Sequence, residues 1–244
     1  KKELVEFIKF PITLYSGNEQ FVPEMANDVR DSFNPDKNHG LSFTEVQAFI
    51  AKREGEVVGR IAGIINSRAN KKWNSSVVRF SYIDFIDDLE VSKALLDTVV
   101  EWGRERGMTE IQGPLGITDF DKEGMLVEDF DRMGSMIDIY NYPYYPQHMQ
   151  ALGMEKATDW VERKIYIPDA VPEKHKRISD IVLKKYGLRI RKFKSKWEVM
   201  RSGAVHKIFR LINEAYTPLF GFTRLTERQI DTYVKMYVPV LDLR

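Results

Sequence analysis

Residues 46–65 read VQAFIAKREGEVVGRIAGII, and this stretch decides the fold. The runs 46–51 and 57–65 are rich in apolar and β-branched residues, and charged residues with a glycine at position 55 separate them. Two runs of this kind joined by a short glycine-containing turn are typical of a β-hairpin. The stretch therefore predicts two antiparallel strands at the centre of a sheet.

Further strands are predicted on both sides of this hairpin. Residues 77–86 are rich in β-branched and aromatic side chains, and residues 5–10 and 160–167 alternate roughly between apolar and polar positions. Residues 110–112 begin another short strand. We therefore predict an α/β fold in which a mixed, mostly antiparallel sheet is flanked by helices.

An amphipathic helix is predicted directly after the strand at 77–86. Apolar residues recur there at spacings of three and four, at Val91, Ala94, Leu95, Val99 and Trp102. Asp87 is the expected N-cap, and Glu90 three positions later completes the pattern of a capping box.

The second half of the chain is organised differently. Residues 113–138 have weak periodicity and predict a long loop, a candidate lid over a substrate cleft. A short helix is expected at 146–152 and a linker at 168–172. Beyond the linker, residues 173–244 predict a basic α/β segment with a helix at 175–185, a strand at 188–193 and helices at 204–216 and 226–238.

Composition excludes several classes of protein. The 244 residues contain no cysteine, so there is neither a disulfide framework nor a thiolate nucleophile. No apolar run approaches the length of a membrane span, and the first residues lack the pattern of a signal peptide. These features lead us to expect a cytoplasmic protein without a membrane partner.

Charge is balanced overall but segregated along the chain. The net charge is +1, whereas residues 84–138 carry 15 acidic and 5 basic side chains, and residues 171–210 carry 13 basic and 3 acidic ones. Such segments either attract charged partners or compensate each other.

The order of these elements resembles the GCN5-related N-acetyltransferase (GNAT) family. The resemblance covers residues 5–167. It is carried by the hairpin at 49–65, by Ala94-Leu95-Leu96 on the following helix, and by Tyr144-Tyr145 followed by Ala151-Leu152-Gly153-Met154. The basic segment resembles the opening of a second, incomplete unit of the same family, so a tandem arrangement is a further expectation.

The resemblance implies that acetyl-CoA, as acyl donor, binds where the strand at 77–86 meets the helix. There, backbone amides at a helix N-terminus receive the diphosphate. The residues implied in cofactor binding are Phe85, Ile86, Asp87, Asp88, Val91, Ser92 and Asn141. Asp87 and Glu90 depart from the family pattern, because acidic side chains repel a diphosphate.

The resemblance also implies catalytic residues. Asp84 is the candidate base, and Tyr144 or Tyr145 is the candidate acid that protonates the departing sulfur. By strand alternation Asp84 is expected to share a face with Phe80, Tyr82 and Ile86. The alternative is that Asp84 pairs with Arg79 or Arg60.

The resemblance and the departures from it lead to three candidate functions. The first is transfer of an acetyl or related acyl group from CoA to a small-molecule or peptide amine. The second is a GNAT-fold binding or interaction module without catalysis, favoured by Asp87 and Glu90. The third is a Fem-type aminoacyltransferase that uses charged transfer RNA.

The sequence also leads to expectations about nucleic acid, self-association, an amine substrate and metal ions. Nucleic-acid binding is not expected, because the basic segment has no recognisable motif. The apolar faces of the C-terminal helices are candidates for packing on the first domain or for a homo-oligomer. The acidic residues of the loop, which are Asp119, Asp121, Glu123, Glu128, Asp129 and Asp131, are candidates to attract an amine. No metal site is expected, because the loop lacks the remaining ligands of a calcium loop and no paired histidines occur.

Overall fold

A four-stranded sheet organises the molecule. The computed structural model describes residues 2–135 and 137–243. Its strands are β1 (Thr44–Arg53), β2 (Glu56–Asn66), β3 (Val77–Phe85) and β4 (Glu110–Gln112), in the order β1-β2-β3-β4. The first three strands are antiparallel, and β4 is parallel to β3. This confirms the predicted mixed, mostly antiparallel sheet.

The predicted hairpin is confirmed. Pairing between β1 and β2 runs from Thr44 opposite Asn66 to Arg53 opposite Glu56. The two turn residues, Glu54 and Gly55, have φ angles of 52° and 89°. Positive φ at both central residues matches the twist of a tight hairpin.

Helices surround the sheet and form the C-terminal part. They are α1 (Lys2–Leu14), α2 (Ala26–Ser32), α3 (Ser67–Trp73), α4 (Leu89–Arg104), α5 (Tyr144–Ala151), α6 (Glu173–Tyr186), α7 (Lys196–Arg201), α8 (Ala204–Ala215) and α9 (Glu227–Tyr237). Short 3-10 turns occupy His39–Ser42 and Val238–Val240.

Helix α4 packs closely on one face of the sheet, as its apolar spacing predicts. Val91, Leu95 and Val99 are buried in this interface. A β-carbon on Gly59 of β2 would lie 2.7 Å from Leu95 Cδ1. The glycine therefore permits the close approach of helix and strand.

The strand predicted at 5–10 is wrong, because these residues belong to helix α1. Phe7, Ile8 and Pro11 are buried, and their spacing of one, three and four residues fits a helix better than a strand. Phe7 and Ile8 pack with Val29 of α2 and Ala62 of β2. The N-terminal helices thus cover the sheet face opposite α4.

The strands predicted at 160–167 and 188–193 are wrong. In the described residues neither stretch pairs with the sheet, and the alternating apolar residues stay in solvent, with Ile165 82% and Ile167 92% exposed. Alternation in sequence specifies a strand only where a partner edge is available. The segment 173–244, predicted as α/β, is helical where it is regular, and its division from the first part at 168–172 stays a prediction.

The C-terminal helices α7 to α9 have a core of their own. Val199, Phe209, Ile230 and Val234 are buried together. This group also contacts Phe120 of the long loop. Two basic side chains of the first part of the chain bind the segment between α8 and α9. Lys72 of α3 donates to the Phe222 carbonyl at 2.7 Å, and Arg79 of β3 donates to the Gly221 carbonyl at 2.9 Å. The C-terminal part thus contacts the first part of the chain, which is one of the two predicted alternatives, and the homo-oligomer stays a prediction.

Candidate functional site

A bulge in β3 sets the direction of Asp84. Arg60 pairs with Asp84 and Ala62 with Ser81, so β3 has one extra residue between them, and Tyr82 has a φ of 48°. A bulge of this kind moves the following side chains to the other face. Phe80 packs on the α4 side, while Tyr82 packs with Phe7 on the α1 side. The expected shared face of Asp84 and Phe80 is therefore wrong.

Asp84 is buried and accepts hydrogen bonds on both carboxylate oxygens. Arg60 Nε donates to Oδ2 at 2.7 Å, and both groups are almost fully buried. Tyr15 Oη donates to Oδ1 at 2.9 Å, and Tyr145 Oη lies 3.3 Å from the same atom. The predicted alternative of a pair with Arg60 is what the structure contains.

The two phenols form one hydrogen-bonded unit with the carboxylate. Tyr15 Oη and Tyr145 Oη are 2.8 Å apart, and the Phe85 amide donates to Tyr145 Oη at 3.1 Å. Burial and the nearby Asp84 carboxylate raise the pKa of both phenols far above the ordinary value. Both therefore stay protonated and act as hydrogen-bond donors.

Tyr144 lies beside this unit but has another partner. Its hydroxyl donates to the Phe85 carbonyl at 2.6 Å, and burial raises the pKa of the phenol. Tyr144 and Tyr145, adjacent in the sequence, thus bind the carbonyl and the amide of the same strand residue.

A large cavity opens next to the carboxylate. Its volume is about 560 Å³, and Asp84, Arg60 and Tyr145 are among the lining residues. Much of the wall is apolar, formed by Ile8, Pro11, Phe21, Val29, Met125 and Ile139. The cavity therefore combines one buried ionic group with a hydrocarbon-like wall.

A second carboxyl, Glu24, lines the same cavity. Glu24 Oε2 is 3.9 Å from the Arg60 guanidinium. Burial raises the pKa of Glu24 and lowers that of Lys122, which also lines the cavity. Arg60 thus lies between two carboxyl groups that face the same space.

Several acidic side chains of the loop at 113–138 are partly buried rather than exposed. Asp121 accepts from the amides of Ile117 and Thr118 at 2.8 and 2.9 Å. Burial raises the pKa of Asp119 to about 6 and that of Glu123 to about 8. These three residues do not form an exposed acidic surface, whereas Glu128, Asp129 and Asp131 are exposed.

Asn141 fixes this loop to the body of the protein. Its side-chain oxygen accepts from the Leu126 amide at 2.7 Å, and its NH₂ donates to the carbonyls of Leu126 and Tyr142, both at 3.1 Å. The side chain is buried. The side-chain amide that the resemblance implies in cofactor binding is thus already bonded to the protein backbone.

The N-terminus of α4 differs from the prediction. The N-cap is Asp88, not Asp87, and its carboxylate accepts from the amides of Glu90 and Val91 at 2.9 and 3.4 Å. Glu90 is the second helical residue, so the predicted capping box is wrong. Asp88 also pairs with Arg53 at 2.8 Å.

Three further residues of this junction, Ile86, Asp87 and Ser92, also have hydrogen-bond partners. Asp87 Oδ1 is 3.1 Å from His148 Nε2, and His148 Nδ1 is 2.9 Å from Ser92 Oγ. The Ile86 amide donates to the Val58 carbonyl at 3.1 Å. The carboxylate of Asp88 already binds two helix amides, and Asp87 and Glu90 add negative charge next to them. Because these acidic side chains repel an anion, residues 85–92 do not fit a diphosphate.

Sequence reasoning missed three groups of this site. Tyr15 follows a stretch that was expected to be a strand, so its distance to Asp84 was not foreseen. Glu24 lies outside any regular element. Its sequence neighbours carry no motif that marks it as a cavity residue. His148 belongs to no motif in the sequence, and its link from Ser92 to Asp87 depends on how α5 packs on α4.

Two features are absent from the described residues, 2–135 and 137–243. No group of three or more His, Cys, Asp or Glu side chains is placed to hold a metal ion. No helix there has the length and apolar character needed to cross a bilayer.

Comparison with curated proteins gives two relatives. Protein YghO of Escherichia coli is 28% identical over 98% of this chain and 61% of its own length. A protein of Caulobacter vibrioides named bacterial ceramide synthase is 26% identical over 99% of this chain and 62% of its own length. The chain thus spans about three fifths of the length of these relatives. No protein-family model matches it.

Solved structures give partial similarities. The structure of AAC(6')-Iy in complex with the bisubstrate analogue CoA-S-monomethyl-acetylneamine matches 68% of this chain at 18% identity, with a TM-score of 0.40. It is matched over 94% of its own length. A structure described as "predicted acetyltransferase with acetyl-CoA" from Clostridium acetobutylicum matches 67% of this chain and 88% of its own at 13% identity, with a TM-score of 0.38.

Proposed function

We propose that this chain has the GNAT fold and is an N-acyltransferase that moves an acyl group from a thioester to a primary amine. The observation that carries the proposal is the unit of Asp84, Tyr15 and Tyr145 at the wall of a largely apolar cavity. A carboxylate linked to protonated phenols is suited to receive a proton from an amine and to stabilise negative charge nearby.

Acyl transfer requires that one bond forms and another breaks. The amine nitrogen attacks the thioester carbonyl, the C–N bond forms, the C–S bond breaks, and the amine loses a proton while the sulfur gains one. Asp84 already accepts from Arg60 and Tyr15. We therefore propose that the amine proton reaches Asp84 through a phenol, which gives its own proton to the carboxylate as it receives that of the amine. The same relay in reverse then delivers the proton from Asp84 to the departing sulfur, so that the carboxylate is regenerated.

The raised pKa of the phenols defines their second role. A phenol that stays protonated is a poor source of a free proton but a permanent hydrogen-bond donor. We propose that Tyr145 stabilises the negative charge that develops on oxygen or sulfur in the transition state. Its fixed bond from the Phe85 amide keeps the hydroxyl in place.

The donor is proposed to be acetyl-CoA or a related acyl thioester. Because residues 85–92 do not fit a diphosphate, we propose that these residues do not bind that part of the donor. Recognition then rests on the thioester and the acyl chain.

The acceptor is proposed to be a long-chain amino alcohol. A relative is named bacterial ceramide synthase, and a ceramide is the N-acyl product of such an amine. The apolar wall of the cavity suits a hydrocarbon chain. Glu24 and Asp84, on either side of Arg60, are suited to hold the ammonium group before it loses its proton.

The experiment is an amide-formation assay followed by mass spectrometry. The purified chain is incubated with acetyl-CoA or palmitoyl-CoA and with either sphinganine or ethanolamine. We expect amide formation with sphinganine, and a rate lowered about 100-fold by Tyr145→Phe. The matched control, Tyr216→Phe, removes a phenol of the C-terminal part and should leave the rate unchanged.

The outcomes separate the parts of this proposal. Transfer to ethanolamine but not to sphinganine would exclude the long-chain acceptor and keep the transferase. An unchanged rate in Tyr145→Phe would exclude the role of that phenol. Absence of product with every pair would overturn the transferase and favour the second candidate below.

The second candidate function is a binding module without acyl transfer. The observation in its favour is the capped, acidic N-terminus of α4, which leaves no evident place for the diphosphate of a CoA donor. Isothermal titration tests it. Binding of sphinganine without binding of palmitoyl-CoA would support the module, whereas binding of both would support the transferase.

A further inference from the structure

Helix α6 differs from the other long helices because it buries no residue. Its apolar side chains are open to solvent, with Ile178 48%, Ile181 54%, Val182 38% and Tyr186 63% exposed. Ile178, Val182 and Tyr186 are spaced by four residues and therefore lie along one stripe of the helix.

Cations surround this stripe. Residues 173–194 contain nine Lys and Arg side chains and two acidic ones. At 100° per residue, Lys176, Arg177 and Lys184 lie on the side opposite the stripe, and Lys174 and Lys185 border it. Of the cations on α6, the described residues show an ion pair only for Lys176, with Glu173 of the same helix.

We propose that α6 binds the surface of an anionic lipid bilayer, with its axis parallel to the surface and the stripe of Ile178, Val182 and Tyr186 inserted between headgroups. A helix with a polar face rich in lysine and an apolar opposite face has this property. Cations next to an anionic leaflet add attraction for each residue that reaches it. The proposal concerns surface binding and is independent of the proposed acyl transfer.

The acidic stretch of the same chain does not serve as the partner of α6. Three of its carboxylates bind elsewhere, since Asp84 binds Arg60, Asp88 binds Arg53 and Asp121 binds two backbone amides. In the described residues, the ion pair found on α6 is with Glu173 of the same helix and not with the acidic stretch. Of the two alternatives for the charged segments, mutual compensation is thus not observed at α6 within the described part of the chain.

Binding of a nucleic acid would account for the cations of α6 but not for its apolar stripe. Phosphates account for the cations, but they offer nothing to cover exposed aliphatic side chains. Tyr186 at the end of the stripe, with a ring that is apolar and a hydroxyl that is polar, suits the headgroup region. A bilayer satisfies both the charges and the apolar stripe.

The test is co-sedimentation of the purified chain with phosphatidylcholine vesicles, with and without phosphatidylglycerol, at low and moderate salt. We expect binding that requires phosphatidylglycerol and weakens as salt is raised. Lys184→Gln with Lys185→Gln should lower the partition coefficient about 20-fold. Ile178→Ser with Val182→Ser should lower it about tenfold without any change in charge.

Matched controls distinguish a surface effect from a change in net charge. Lys207→Gln with Lys235→Gln removes the same charge from exposed positions on α8 and α9 and should leave vesicle binding unchanged. Because α6 buries nothing, all of these variants should unfold at the same temperature as the parent protein.

Three results would overturn the proposal. The first is absence of binding to phosphatidylglycerol vesicles at low salt. The second is equal loss in the control pair and the α6 pair. The third is self-association or binding of an oligonucleotide, abolished by the α6 variants, without any binding to vesicles.

Discussion

Asp84 and Asp88 lie four residues apart at the junction of β3 and α4, and their surroundings are opposite. Asp84 is buried and holds Arg60, Tyr15 and Tyr145 around its carboxylate. Asp88 lies at the surface, where it caps two helix amides and pairs with Arg53, which is itself half exposed. The same residue type thus forms part of a cavity wall at position 84 and caps a helix at position 88.

The difference shows that burial, and not residue type, decides what a carboxylate contributes. A buried ion pair is expensive to break, because the remaining charge stays out of water. An exposed pair contributes little, because water and salt screen it. The same Asp→Asn substitution at the two positions should therefore have very different effects.

The largest effect is expected for Asp84→Asn. This change leaves the Arg60 guanidinium buried without its closest anion, and the free energy of unfolding should fall by about 3 kcal/mol. Urea denaturation monitored by circular dichroism measures the change. Asp97→Asn, on the exposed surface of α4, is the matched control and should be close to neutral.

A double variant sharpens this prediction. If Arg60→Met is combined with Asp84→Leu, no buried charge remains, and the loss should be smaller than the sum of the two single losses. Additive losses would show that the pair is not coupled. They would also show that Glu24, 3.9 Å from Arg60, already compensates the guanidinium.

Glu123 provides a third environment, a buried carboxyl without a close cation bond. Its Oε1 is buried without a hydrogen-bond partner, and burial raises its pKa to about 8. The folded protein holds this proton more tightly than the unfolded chain, so this contribution to stability is complete below pH 4.5 and is lost as the pH rises to about 8.

Glu123→Gln should therefore stabilise the protein, opposite in sign to Asp84→Asn. At pH 8 we expect an increase of about 2 kcal/mol, after allowance for partial exposure, and a flatter decline of stability between pH 5 and about 8. Denaturation series at several pH values measure both. Glu128→Gln, on the exposed part of the same loop, is the control, and an equal effect there would contradict the assignment.

These contrasts also explain how much the sequence could predict. The hairpin at 46–65, β3 and α4 were predicted correctly because each carries its own pattern of turn residues or apolar spacing. The bulge at Tyr82 carries no such pattern, and it changes the face on which Asp84 lies. Local periodicity describes regular elements, but a single extra residue in a strand reverses every assignment beyond it.

The site was predicted in part for the same reason. Asp84 and Tyr145 were named, and the structure brings them together. Tyr15 and Glu24 come from the N-terminal region, whose first helix was predicted as a strand. A long-range contact needs both elements to be placed correctly, so an error in one element removes all of its contributions to the site.

The smallest effect is expected for Asp88→Asn. Asparagine caps a helix about as well as aspartate, and the exposed pair with Arg53 contributes little. The unfolding midpoint should stay close to that of Asp97→Asn, while Asp88→Ala, which also removes the cap, should lower it clearly. If Asp88→Asn lowered the midpoint as far as Asp84→Asn, the contrast between the two aspartates would be wrong.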